Sequence, residues 1–150
     1  MKKLILFTAY GFGLGKMPII PATFGTLIGV LIFLLASQQK ILYLLITLLV
    51  TIGGIKIAEI AEDASKIKDD RRIVIDEVAG FLITMIGMAN SLFYLFLGFF
   101  LFRALDIIKP FPIRYSQRLK AGLGIMMDDV LAGIFSCIIL NLIHYFYRFS

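Results

Sequence analysis

"VAGFLITMIGMANSLFYLFLGFFLF", residues 78–102, decides the fold because it has two incompatible readings. It contains no Asp, Glu, Lys or Arg. As one helix rising 1.5 Å per residue it would reach about 37 Å, somewhat more than the ~30 Å hydrocarbon core of a bilayer. The central "GMANS" (87–91) instead suggests two helices folded back on each other, with the turn at Asn90–Ser91. Each arm is then short unless residues 73–77 and 103–108 extend it. That extension draws Asp76, Glu77, Arg103 and Asp106 into the ends of the bundle.

The rest of the chain sets the class. Thr23–Gln39, Ile41–Ile55 and Val130–Tyr147 are also free of acids and of Lys or Arg. The 150 residues are 60% hydrophobic, against roughly 45–50% for an average soluble protein, and mean hydropathy is +0.95. A soluble chain of this size could not bury all four stretches. The expectation is one domain over residues 1–150: an all-α, polytopic membrane helical bundle of about five short transmembrane helices. "SQQK" (37–40) reads as the first turn. Residues 56–72 hold five bases and five acids, with Ile57, Ile60, Ala64 and Ile67 spaced three or four apart, and read as a solvated helical extension. The opening "MKKLILFTAYGFG" has too short an apolar run before Gly11 for a signal peptide and is expected to be retained. Cys137, the single cysteine, reads as packing and permits no intrachain disulfide.

Charge position favours the hairpin. With five helices, segments 1–22, 56–77 and 103–129 share one face, which then carries all ten acids and every Lys and Arg except Lys40 and Arg148. Lysine and arginine mark the cytoplasmic side of a membrane protein. The N-terminus is therefore expected inside and the C-terminus outside. The basic pI of about 9.4 speaks to topology, and no nucleic-acid partner is expected.

Three polar stations fall on that face: "IDEVAGF" (75–81), "FRALDIIKPFPI" (102–113) and "MDDVLAGIF" (127–135). The first and third share a pattern of two acids, Val and then Gly, a faint internal repeat. In the second, Arg103 and Asp106 lie on one helical face with Lys109 one turn on, and Pro110 and Pro112 stop the helix. Asp76, Glu77, Asp106, Asp128 and Asp129 are thus candidate catalytic residues converging at one edge of the bundle. Unneutralised, they would repel one another and bind protons. Hard oxygen donors without Cys or His nearby suit Mg2+, with Asp76, Glu77, Asp128 and Asp129 as candidate metal ligands. Arg103 and Lys109 add donors for phosphate.

"GFGLGKMPIIPATFGT" (11–26) is not a Walker loop, since Lys16 is followed by Met17. Its glycines still offer backbone N–H groups, and Lys16, Thr23 and Thr26 are candidate contacts for a phosphate at a helix start. Cysteine-nucleophile chemistry is excluded because Cys137 lies in lipid or core, and histidine-nucleophile chemistry because His144 stands alone near the opposite face. Metal-assisted attack by water or by a carboxylate remains. The rival class is a divalent-cation or proton-coupled transporter, since intramembrane carboxylates also mark ion pathways. A scaffold without chemistry, its acids paired with its bases, is a third.

The blocks "IDEVAGFLIT" (75–84), "FRALDIIKPFPI" (102–113), "GLGIMMDDVLAG" (122–133) and, more loosely, "GFGLGKMPIIPATFGT" (11–26) resemble the phosphatidylglycerophosphatase A family, in the family's order and over most of the chain. Ala22 and Ala121 stand where that family commonly has glycine. The resemblance implies Mg2+-dependent hydrolysis of the phosphomonoester of phosphatidylglycerophosphate, a phospholipid, to phosphatidylglycerol and phosphate. It also implies a multi-pass protein of the bacterial inner membrane whose acids, on the cytosolic side, hold the ion while the lipid tails stay in the bilayer.

Overall fold

The computed structural model describes residues 2–68, 70–116, 119 and 121–149, with backbone alone for 148 and 149. Asp69, Arg118, Lys120 and the Arg148 side chain, which enter the charge count above, lie outside the described residues. The chain forms α1 (Lys2–Ala9), a 3-10 segment (Gly11–Lys16), α2 (Pro21–Ala36), α3 (Lys40–Ser65), α4 (Ile75–Thr84), α5 (Leu92–Ile108), α6 (Ile113–Ser116) and α7 (Gly122–Phe149), with no strand among the described residues.

Residues 78–102 are a hairpin. The helix stops after Thr84, Gly87 turns the chain at φ +85°, and α5 begins at Leu92. The two arms run antiparallel, because Gly80 faces the Phe102 ring while Gly98 faces Met85 and Thr84. They are unequal, with 10 residues in α4 and 17 in α5. At 1.5 Å per residue α4 is only about 15 Å long, half the depth of a hydrocarbon core. It is also buried on every side, Asp76 and Ile83 being its only residues that are not. A helix apolar all round belongs in the middle of a bundle, and α2, α3, α5 and α7 surround it.

A helix that ends in apolar surroundings leaves carbonyls without partners, and side chains from two neighbours supply them. The Tyr43 hydroxyl of α3 donates to the Leu82 carbonyl at 2.5 Å. Asn141 of α7 donates from Nδ2 to the Ile86 carbonyl at 3.1 Å. Both residues lie in stretches that otherwise read as plain lipid-facing sequence.

Helices α2, α4 and α7 run in one direction and α3 and α5 in the other. Gly29 meets Phe81, and Gly133 meets Gly80, in parallel register. Tyr43 reaches Leu82 across the antiparallel α3. Two helices, α3 and the Gly122–Tyr147 part of α7, are long and apolar enough to cross a membrane, and α2 is apolar but shorter. Leu45, Leu48, Leu49 and Ile52 of α3 all point outward, a contiguous apolar face of the kind that marks a lipid or protein contact.

The 56–72 region departs from expectation. α3 continues as a helix only to Ser65, where Lys66 adopts a left-handed conformation. Its buried face is not Ile57, Ile60, Ala64 and Ile67 but the small residues Gly54, Ala58 and Ala61. Small side chains let helices approach closely, and these pack with Tyr10, Ile125 and Met126 in a second core. Ala64 and Ile67 are exposed. Close packing, rather than side-chain hydrophobicity, chose the inner face.

Candidate active site

The first turns of α2 and α4, the end of α5, the early part of α7 and the 70–73 link enclose a pocket of about 270 Å3. Asp76, Glu77, Asp106, Lys109, Asp128 and Asp129 line it. Each acidic station is delivered by a different helix. The parallel contact of α4 and α7 through Gly80 and Gly133 sets Asp76 and Glu77 beside Asp129. Lys109 follows the last residue of α5 in a left-handed conformation (φ 46°).

The acids divide by partner. Asp106 accepts from Arg103 at 2.8 Å and lies 3.9 Å from Lys109. Asp128 is bonded to Lys109. Asp70, on the link, is held by Arg72 through both its oxygens, with Nε to Oδ1 at 2.9 Å and an outer nitrogen to Oδ2 at 2.7 Å. Asp76, Glu77 and Asp129 have no basic partner among the described residues, and an oxygen of each converges with the others inside 4.8 Å. Glu77 is 8% and Asp129 3% exposed. Asp76 Oδ1, Glu77 Oε2 and Asp129 Oδ2 are buried without a hydrogen bond.

Three clustered like charges, each with a buried oxygen that has no hydrogen bond, are costly unless a cation neutralises them. All three offer hard carboxylate donors, the set that takes a divalent ion such as Mg2+ or Ca2+. The cluster therefore fits a divalent metal ion. Outside the apolar helices, burial works against the Lys109 charge, but its bonds to Asp128 and the neighbouring acids outweigh this and hold the ammonium above the ordinary lysine range. The Arg72 side chain bonded to Asp70 holds that carboxyl below the usual aspartate range, against the opposing effect of burial.

Other expected contacts stand apart from the pocket wall. Arg103 faces Asp106 and does not line the pocket. Lys16 lies over the Tyr10 ring at 5.6 Å and borders a separate depression with Lys3 and Phe7. Thr26 is fully buried and its hydroxyl donates back to the Ala22 carbonyl at 3.1 Å. Thr23 uses its N–H to close a turn onto the Ile20 carbonyl at 3.1 Å. Pro21 and Ala22, the residues just before it, reach the pocket instead. The glycine-rich segment braces the 70–74 link: a Cβ on Gly15 would stand 2.1 Å from the Arg72 carbonyl. The Val74 N–H donates to the Ala9 carbonyl at 2.9 Å.

Asp70 and Arg71 line the pocket and were hidden in sequence within the charged run ascribed to a solvated helix. The available signal was "DDRR" (69–72) placed directly before "IVIDE".

A model of the phosphatidylglycerophosphatase A family matches residues 7–144. An Escherichia coli protein named phosphatidylglycerophosphatase A is 38% identical over 139 residues, 90% of this chain and 80% of its own length. A Haemophilus influenzae protein of the same name is 36% identical over 141 residues, 91% of this chain and 86% of its own. A Bacteroides thetaiotaomicron protein, provisionally named a phosphatidylinositol-3-phosphatase, is 35% identical over 139 residues, 87% of each chain. No solved structure matches. The named relatives are phosphatases, and the ion-transport reading finds no support among them.

Proposed function

The chain belongs to the phosphatidylglycerophosphatase A family, and from that premise we propose that this phosphatase hydrolyses phosphatidylglycerophosphate with Mg2+ to phosphatidylglycerol and phosphate. Asp76, Glu77 and Asp129 would hold the ion, with Asp128 beside them. When bound, Mg2+ supplies a Lewis acid for the phosphoryl oxygens. Lys109 presents an ammonium to the phosphate, kept charged and oriented by Asp106 and Asp128. The first turn of α2, where Pro21 has no N–H and the Thr23 N–H is bonded to the Ile20 carbonyl, adds the Ala22 N–H and the positive end of a helix dipole. The water oxygen forms a new bond to phosphorus as the P–O bond to the lipid alcohol breaks, a proton from the water passes to the leaving alcohol oxygen, and inorganic phosphate is released.

The observation that carries this is the sorting of the acids: three without a base among the described residues, clustered, beside a lysine that two other acids hold. Five passes with the N-terminus and the pocket on the cytosolic side of a bacterial inner membrane complete the proposal, supported by the asymmetry of Lys and Arg along the chain.

Purified protein in detergent, given phosphatidylglycerophosphate, should release phosphate with Mg2+, stop with a chelator, and remain inactive as Asp129→Asn. Release that persists in chelator removes the metal from the mechanism. No release from this lipid, alongside release from phosphatidylinositol 3-phosphate, would transfer the substrate to that suggested by the Bacteroides relative. Orientation is tested by an impermeant thiol reagent on Asn90→Cys in a Cys137→Ala background. Labelling from outside the cell supports the topology, and labelling only after permeabilisation reverses it.

A further inference from the structure

Around the central α4 the outer helices form a ring with one opening. α2 packs on α3, α3 on α7 and α7 on α5, whereas α2 and α5 scarcely touch. The gap is a groove of about 310 Å3, walled by Leu27, Val30 and Leu34 of α2 and by Phe96, Phe99 and Phe100 of α5. Its wall is hydrocarbon throughout. Leu27, Leu34, Phe96 and Phe100 are exposed, so the groove opens sideways to the surroundings of the bundle. Behind it, Phe81 of α4 sits edge-on to Phe99, with ring centroids 6.5 Å apart, and presses against Gly29.

The same two helices end at the carboxylate pocket. Pro21 and Ala22 open α2 there, and Asp106 and Lys109 stand at the end of α5. Leu27 lies five residues along α2 from Ala22, about 7.5 Å, and Phe99 lies seven residues back along α5 from Asp106, about 10 Å. The polar pocket and the apolar groove are therefore two levels of one seam, offset by less than the extended glycerol–phosphodiester–glycerol linker that joins the terminal phosphate of phosphatidylglycerophosphate to its acyl chains. Hydrocarbon attached to a phosphate at the pocket meets, along this seam, the side of the ring where the outer helices scarcely touch.

We propose that the α2–α5 seam binds an acyl chain of the glycerophospholipid whose phosphate occupies the carboxylate pocket, and that the lipid enters sideways through it. This rests on the lipid-phosphatase reading above. It makes chain recognition a property of Val30, Phe96 and their neighbours, and head-group chemistry a property of the acids.

The chain has no Trp, so a single introduced indole reports on one place. Phe96→Trp sits in the groove. Leu45→Trp sits on the outward face of α3, at a similar distance from the same end of the bundle. Each variant is placed in phosphatidylcholine bilayers containing Mg2+ and a small fraction of either of two lipids with brominated, fluorescence-quenching chains. One is phosphatidylcholine, and the other is a non-hydrolysable phosphonate analogue of phosphatidylglycerophosphate. The expected result is several-fold stronger quenching of Phe96→Trp by the phosphonate than by phosphatidylcholine, with Leu45→Trp quenched equally by both. Phe100→Trp repeats the test if Phe96→Trp does not fold. Equal quenching in the groove, while the phosphonate still inhibits phosphate release by the unsubstituted protein, overturns the seam and leaves the phosphatase standing. Preferential quenching in a protein that releases no phosphate from any lipid upholds the seam and overturns the phosphatase. Equal quenching with neither release nor inhibition overturns both.

Discussion

Gly133 lies with its backbone against the carbonyl of Gly80, so close that a Cβ at position 133 would stand 2.4 Å from that oxygen. Asp129 precedes Gly133 by four residues and Asp76 precedes Gly80 by four, so each acid shares a helical face with its glycine. The two parallel helices touch where side chains are absent, and one turn back the approach sets the carboxylates within reach of a shared ion. The two blocks that read as a faint repeat thus pack through their glycines, Gly80 lying four residues after the first acid of its pair and Gly133 four after the second.

Gly133→Ala should force α4 and α7 apart, at the 1–3 kcal/mol or so typical of overpacking, and reduce phosphate release at least ten-fold. Gly53→Ala is the comparison, since a Cβ there meets nothing within 4 Å. It should raise thermal stability slightly, by about 0.5–1 kcal/mol, as a helical glycine replaced by alanine does. Melting temperature and initial rate, measured on both variants, check the pair. Equal behaviour would mean that the helix contact does not set the site.

Asp129→Asn should abolish turnover without unfolding the protein. It removes one of three clustered charges that have no basic partner among the described residues, so in chelator its melting temperature should match or exceed that of the unsubstituted protein. Mg2+ should then stabilise the unsubstituted protein, by about 2.7 kcal/mol at a hundred-fold excess over Kd, and leave the variant unmoved. A full Mg2+ shift in Asp129→Asn would place the ion elsewhere.

Arg103→Lys should separate substrate contact from support. Arg103 was expected at the phosphate, yet it faces Asp106 at 2.8 Å with both side chains mostly buried. Lysine retains the charge but loses the planar fork. Stability should fall, with KM nearly unchanged. A ten-fold rise in KM at unaltered melting temperature would return Arg103 to the substrate.

The Asp70–Arg72 clamp should appear in the acid limb of stability. The carboxyl of folded Asp70 is held below the ordinary aspartate range, so the unfolded chain takes up its proton first as pH falls. The contribution is therefore complete above the unfolded pKa, near 3.9, and is lost as pH falls through the lowered folded value. The melting-temperature gap between the unsubstituted protein and Asp70→Asn should be constant near neutrality and close below pH 4. A gap independent of pH would show that the hydrogen-bond geometry matters and the charge does not.

Much of the architecture was legible in residues alone. Uncharged runs determine where helices can lie in an apolar medium, because an unpaired charge there is expensive. "GMANS" breaks the run at 78–102 because glycine and asparagine suit turns that other residues resist. The three acidic stations were legible because buried carboxylates without a purpose are rare.

The division of labour among those acids depended on the fold. Nothing in "MDDVLAG" says that Asp128 meets Lys109 while Asp129 meets Asp76 and Glu77, since adjacent helical residues point about 100° apart and their partners come from other helices. The glycine-rich segment offers backbone N–H groups by its sequence, but that it braces the 70–74 link depends on the Arg72 carbonyl lying against Gly15, a contact across more than fifty residues. The inner face of α3 was misread because hydrophobic spacing weighs large side chains, whereas a close helix contact selects small ones. Composition and spacing determined which groups can be buried and which chemistry they can support. The tertiary structure decided which groups meet, because pair distances between helices depend on side-chain volumes at contacts far apart in the chain.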